Sequence, residues 1–112
     1  MSNKGKVTII DYDSGNLWSV KSALMYLGYE PEISSDPDKI RLSNKLILPG
    51  VGSFAVAMKS IKEKYIDEAI TEAVMKRGST ILGICLGMQV LALSGTEDGQ
   101  TKGIGLIPTT VD

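Results

Sequence analysis

Four short apolar runs, each followed by residues at helical spacing, constrain this chain to an alternating α/β architecture. Lys6-Val7-Thr8-Ile9-Ile10 is β-branched and apolar on both alternating faces, the pattern of a parallel strand covered on both sides. A run of turn formers follows, Asp11-Tyr12-Asp13-Ser14-Gly15-Asn16, and then Leu17, Val20, Leu24 and Leu27 recur at helical spacing up to Gly28, a C-cap residue. Glu32-Ile33-Ser34 reads as a second strand, and Asp36-Pro37 opens a capped helical turn with proline at its first position. Lys45-Leu46-Ile47-Leu48 is a third strand, stopped by Pro49-Gly50. Helical spacing returns around Phe54, Met58 and Ile61 and again at Ile66, Ile70, Ala73 and Val74, closing at Lys76-Arg77-Gly78. The fourth strand, Thr80 to Ile84, leads directly into Cys85 and a helical run through Val90 and Leu93. Such β-α repeats predict a flavodoxin-like parallel sheet with right-handed crossovers and helices on both faces. Function is then expected at the C-terminal ends of the strands, on Asp11 to Asn16, Pro49 to Ser53, and Cys85 with its neighbours.

Composition removes several chemistries. At 112 residues the chain is one small domain or part of a larger one. Lys+Arg number 12 against 13 Asp+Glu, so no basic stripe marks nucleic acid as a partner. There is no histidine and one cysteine, which excludes a Ser-His-Asp site, a His-ligated metal and an internal disulfide within these residues. Neither a metal nor a cofactor is expected. The longest mostly apolar stretch, Ile81 to Leu93, is interrupted by Gly83, Gly87 and Gln89 and falls short of the ~20 residues of a membrane span. No apolar signal core follows the N-terminal lysines, so the expected location is the cytoplasm.

Gly83-Ile84-Cys85-Leu86-Gly87 fits the nucleophile elbow, Gly-x-nucleophile-x-Gly at a strand-to-helix junction. An elbow predicts a strained backbone at Cys85, and the N–H of Leu86 is placed to meet the oxyanion of a tetrahedral intermediate. The other reading of a lone Cys in an apolar segment is a small buried hydrophobe. Gly50-x-Gly52-x-x-Ala55 matches the dinucleotide fingerprint, but an acidic residue ending the next strand ~20 residues on would fall near Glu72 and Ala73, inside a helix. Two glycines in that loop also suit a backbone that aims a second N–H toward Cys85, which requires the loop and Cys85 to be neighbours. Gln89 lies one helical turn beyond Cys85, as a substrate hydrogen bond or a satisfied core amide. Asp11, Asp13 and Asn16 read mostly as loop formers and caps.

Gly83-Ile84-Cys85-Leu86-Gly87-Met88-Gln89 resembles the nucleophile segment of class I glutamine amidotransferases. Three further stretches, Asp11 to Val20, Leu48 to Phe54 with Ala57-Met58, and Gly103 to Pro108, are similar to the glutaminase subunits of imidazole glycerol phosphate synthases. The resemblance implies hydrolysis of glutamine to glutamate and ammonia. It further implies transfer of the ammonia to a cyclase subunit of (β/α)8 form in histidine biosynthesis. By position it makes Cys85 the nucleophile and gives the oxyanion hole to Leu86 with the Val51-Gly52 backbone. It also implies that Gly50, Gly52 and Gln89 hold the substrate glutamine and that Asn16 lies at the cyclase interface. The triad His and Glu of that family lie in a second half. Residues 1–112 are therefore expected to be the N-terminal part of a single amidotransferase domain, inactive alone. Two other readings remain: a related glutaminase feeding amidation of a surface sugar, and a non-catalytic flavodoxin-like binding module.

Overall fold

The structure, a computed structural model, describes residues 4–95 and 101–111. Four strands, β1 (Lys6–Ile10), β2 (Glu30–Ser34), β3 (Lys45–Leu48) and β4 (Thr80–Gly83), form a parallel sheet in the order β2-β1-β3-β4. The helices between them are α1 (Leu17–Tyr26), α2 (Pro37–Leu42), α3 (Phe54–Glu63) and α4 (Ile66–Thr71). A π-helical segment, Glu72–Lys76, extends α4 toward Gly78, and α5 (Leu86–Val90) follows β4. The strand order turns back on itself between β1 and β3, the switch point at which open α/β sheets open a crevice at their strand ends.

The strand alternation read from the sequence separates two cores. Val7, Ile9 and Ile47 point to one face, where Leu17, Val20 and Leu24 of α1 pack on them together with Ile33 and Ile84. Ile10, Leu46 and Leu48 point to the other, beneath Ile40, Phe54, Met58, Ile61, Ile66 and Ile70. Burying each such side chain contributes about 1.5–3 kcal/mol. The two faces are unequally covered, since α1 has no fully buried residue and Trp18 is 71% exposed.

Local chemistry accounts for most element ends. Asn16 accepts the Ser19 N–H at 3.1 Å and caps α1, Asp36 accepts the Asp38 N–H at 2.9 Å ahead of Pro37, and Ser53 caps α3 through the Val56 N–H. The C-terminal part departs from expectation. The helix after Cys85 stops at Val90 instead of running through Leu93, and Ala92–Gly95 forms strand β5. β5 pairs antiparallel with β6 (Thr101–Lys102) and parallel with β7 (Ile107–Val111). The Val90 carbonyl accepts the Ile104 N–H at 2.8 Å rather than a helical donor. Apolar spacing does not distinguish a short helix from a strand in such a run, and Ser94-Gly95 has little helix propensity to decide it.

Candidate active site

Three loops meet at the C-terminal edge of the sheet. β4 ends at Gly83, and Ile84 keeps the ladder going one step further by donating its N–H to the Leu48 carbonyl at 3.0 Å. The chain then reverses at Cys85, whose φ of 54° and ψ of −119° lie in a region that side-chain-bearing residues rarely occupy. Such a conformation costs on the order of 1–3 kcal/mol, and it leaves Cys85 exposed at the head of α5. Gly87 explains how the turn fits. A Cβ at that position would stand 1.7 Å from the Leu48 carbonyl oxygen and 2.6 Å from its carbon. The elbow therefore packs directly on the end of β3.

The loop Pro49 to Ser53 lies against this elbow, although more than thirty positions separate the two in sequence, because β3 and β4 are adjacent and parallel. The Gly50 carbonyl accepts the Leu86 N–H at 3.1 Å. From the other side, the β1–α1 loop grips the same segment. The buried Tyr12 hydroxyl donates to the Pro49 carbonyl, and Ser14 Oγ accepts the Val51 N–H at 3.0 Å while donating to the Val51 carbonyl at 2.8 Å. Tyr12 also explains Gly50, since a Cβ there would meet the phenol oxygen at 2.0 Å. The β1–α1 loop is itself tied to α3, where Ser60 Oγ donates to the Tyr12 carbonyl at 2.8 Å and Lys64 lies 3.3 Å from Asp13.

The residues singled out in the sequence therefore fall into two groups. Cys85, Leu86, Gly50, Val51 and Gly52 converge on one edge, with Gln89 half-buried one turn along α5. Asn16 stands apart, exposed at the start of α1, where its side chain serves as a cap. Both Leu86 and Val51 N–H groups carry internal hydrogen bonds in this arrangement, to Gly50 and Ser14 respectively. Tyr12 and Ser14 were visible in the sequence only as members of a turn-forming run. Among the described residues no group of three His, Cys, Asp or Glu side chains could hold a metal ion.

Residues 8–105 match the model of the family described as glutamine amidotransferase class-I. The chain belongs to that family. It is 45% identical over 106 residues to imidazole glycerol phosphate synthase subunit HisH 1 of Parasynechococcus marenigrum, covering 95% of this chain and 50% of that protein. A HisH subunit of Moorella thermoacetica is 48% identical over 105 residues, covering 94% and 50%, and HisH 2 of Vibrio vulnificus is 46% identical over 108 residues, covering 96% and 50%. The chain thus spans about half the length of these curated relatives. A solved glutamine amidotransferase superimposes with a TM-score of 0.76 at 22% identity, over 92% of this chain and 54% of that one; it shares the fold. No described helix is long and apolar enough to cross a membrane.

Burial pushes the Tyr12 phenol up to about 12, with the Ser14 hydroxyl partly offsetting it. The neutral phenol is the form that this fold favours. Its stabilising contribution is therefore intact below the ordinary tyrosine value of about 10 and is lost as pH rises toward 12, amounting to roughly 2–3 kcal/mol. Urea midpoints measured at intervals from about pH 9 upward should fall across that window. Tyr12→Phe should flatten this part of the slope; an unchanged slope would assign the alkaline loss to other groups.

Proposed function

We propose that residues 1–112 are the N-terminal part of a single amidotransferase domain in a glutaminase subunit, and that Cys85 is its nucleophile. Its sulfur attacks the side-chain carboxamide carbon of glutamine. The resulting tetrahedral adduct collapses to a glutamyl thioester as the C–N bond breaks and ammonia leaves with a proton. Water then cleaves the thioester to glutamate and returns the thiol. Gly50, Gly52 and Gln89 hold the glutamine, and the N–H groups of Leu86 and of Val51-Gly52 receive the oxyanion. The base that moves the protons is a histidine of the second half, paired with a glutamate. Ammonia passes to a cyclase subunit of (β/α)8 form, bound across the strand-end face that includes Asn16, for imidazole glycerol phosphate synthesis. No cofactor takes part, and the location is cytoplasmic.

The observation that carries this reading is the elbow: the chain's one thiol, on a positive-φ residue at the head of α5, beside a Pro-Gly-Val-Gly loop. The relatives named as subunits of imidazole glycerol phosphate synthase support the choice of product. For Leu86 and Val51 to act together, the peptide between Gly50 and Val51 must rotate, since its carbonyl now takes the Leu86 N–H. Partner binding would favour the rotated state of this two-state element.

The test is glutamate release from glutamine in three samples: residues 1–112, a subunit that carries this chain and continues to the relatives' length, and that subunit with its cyclase. None, little and much are the expected results. A thiol and its base act as a unit whose parts are strongly non-additive, and the unperturbed lysine and aspartate values of about 10.4 and 3.9 are poorly matched to replace a histidine near neutral pH. Turnover by residues 1–112 that survives Cys85→Ala would overturn the mechanism. Fast turnover by the subunit alone, unchanged by cyclase, would remove the gating.

A further inference from the structure

We infer that the Ser14 side-chain hydroxyl is a latch on the Gly50–Val51 peptide, holding the Val51 N–H away from Cys85 and so setting the resting rate of the site. The inference rests on the glutaminase reading above and adds a positioning residue to it. The Gly50–Val51 peptide is trans, so its carbonyl and its N–H point in opposite directions. The carbonyl reaches the Leu86 N–H on the β4 side, 3.1 Å away, and the N–H reaches Ser14 Oγ on the β1 side, 3.0 Å away. The strand order β2-β1-β3-β4 makes these opposite flanks of β3. In this orientation a carbonyl oxygen occupies the donor that an oxyanion would need, and the second donor faces the wrong loop.

Ser14 holds more than the one N–H. Its hydroxyl proton goes to the Val51 carbonyl at 2.8 Å, so one side chain fixes two successive peptides by accepting from one and donating to the other. Tyr12 plays a different part. Its buried hydroxyl anchors the Pro49 carbonyl, which confines rotation to the peptides beyond Pro49. The Ser14 contacts, in contrast, border an open cavity of about 500 Å³ between the β1–α1 loop and α3, lined by Tyr12, Ser14, Val51, Gly52, Ser60 and Glu63 among others. Water can replace them there at modest cost. A fixed anchor at Pro49 next to a releasable clasp at Val51 is an arrangement in which only the clasp needs to let go. The clasp sits two residues from exposed Asn16, within the same loop.

The experiment measures glutamate release by the longer subunit, with and without cyclase, for wild type, Ser14→Ala, Ser14→Thr and Ser14→Cys. Removing the hydroxyl should raise the cyclase-free kcat about three- to tenfold, the scale of one or two modest hydrogen bonds lost from one of two states. KM should hold within about twofold, and the stimulation by cyclase should shrink by the same factor as the resting rate rises. Ser14→Thr keeps the hydroxyl and should keep the wild-type resting rate. Ser14→Cys replaces the hydroxyl with a somewhat larger, weakly hydrogen-bonding thiol and should follow alanine. A Ser14→Ala resting rate equal to or below that of wild type overturns the latch, as does a threonine variant that behaves like alanine. If wild type with cyclase hydrolyses no glutamine, the glutaminase reading falls and takes the latch with it, an outcome distinct from active wild type with an unresponsive Ser14→Ala.

Discussion

Cys85→Ala in the longer subunit should lower cyclase-stimulated glutamine hydrolysis by roughly four orders of magnitude or more, the scale seen when a nucleophile is removed from a unit of nucleophile and base. Cys85 is the one thiol of this chain, it is exposed at the strand-end edge, and no hydroxyl is placed at that position of the elbow to replace it. A diazoketone analogue of glutamine should label the wild-type residue and leave the alanine variant unlabelled. The fold should survive, because alanine keeps the Cβ and loses only the sulfur. A second substitution separates chemistry from backbone. With φ at 54° the cysteine is strained, whereas glycine occupies positive φ freely. Cys85→Gly should therefore be equally inactive yet more stable than Cys85→Ala, by about 1 kcal/mol in urea denaturation. Such a pair would show stability being given up to hold a nucleophile outward. Retained turnover in Cys85→Ala removes Cys85 from the chemistry, and a glycine variant no more stable than alanine removes the strain argument.

The elbow and its glycines were legible because they are local. Gly83 to Gly87 states a turn geometry within five residues, as Asp36-Pro37 states a cap and a helix start, and Lys6 to Ile10 states a doubly covered strand with the bounds observed. Proximity of the Pro49 to Ser53 loop to Cys85 needed one further step, the adjacency of parallel strands. The Tyr12 and Ser14 contacts needed more than that. They span 37 positions and depend on β1 lying next to β3, which strand order decides and periodicity does not. Their only trace in the sequence was the placement of a bulky aromatic inside a turn-forming run. Ala92 and Leu93, expected in the helix, lie in a strand for another reason: an apolar stretch of this length satisfies helix and strand templates equally, and the pairing partners of Ala92–Gly95, Thr101–Lys102 and Ile107–Val111, come later in the chain.

Gly87→Ala should be the most destabilising single-methyl change at this edge, costing about 3 kcal/mol or more. The new Cβ would sit 1.7 Å from the Leu48 carbonyl oxygen, 2.6 Å from the Leu48 carbonyl carbon and 3.2 Å from the Pro49 carbonyl carbon. All three are backbone atoms, so no side chain can rotate to make room. Relief requires α5 to lift away from β3 or the end of β3 to bend. Either movement stretches the bond from the Ile84 N–H to the Leu48 carbonyl and the one from the Leu86 N–H to Gly50. Gly78→Ala is the control. Nothing lies within 4 Å of its Cβ, and φ is +72°, so its cost is that of left-handed backbone alone, about 1–2 kcal/mol. Urea midpoints of the two variants in the longer subunit separate lack of space from lack of conformational freedom. Because the space at Gly87 is bounded by the residues that begin the Pro49 loop, a Gly87→Ala protein that still folds should also lose glutamine turnover, while Gly78→Ala keeps it. A Gly87→Ala protein as stable as Gly78→Ala would mean that the elbow does not press on β3, and the placement of Leu86 against Gly50 would lose its physical basis.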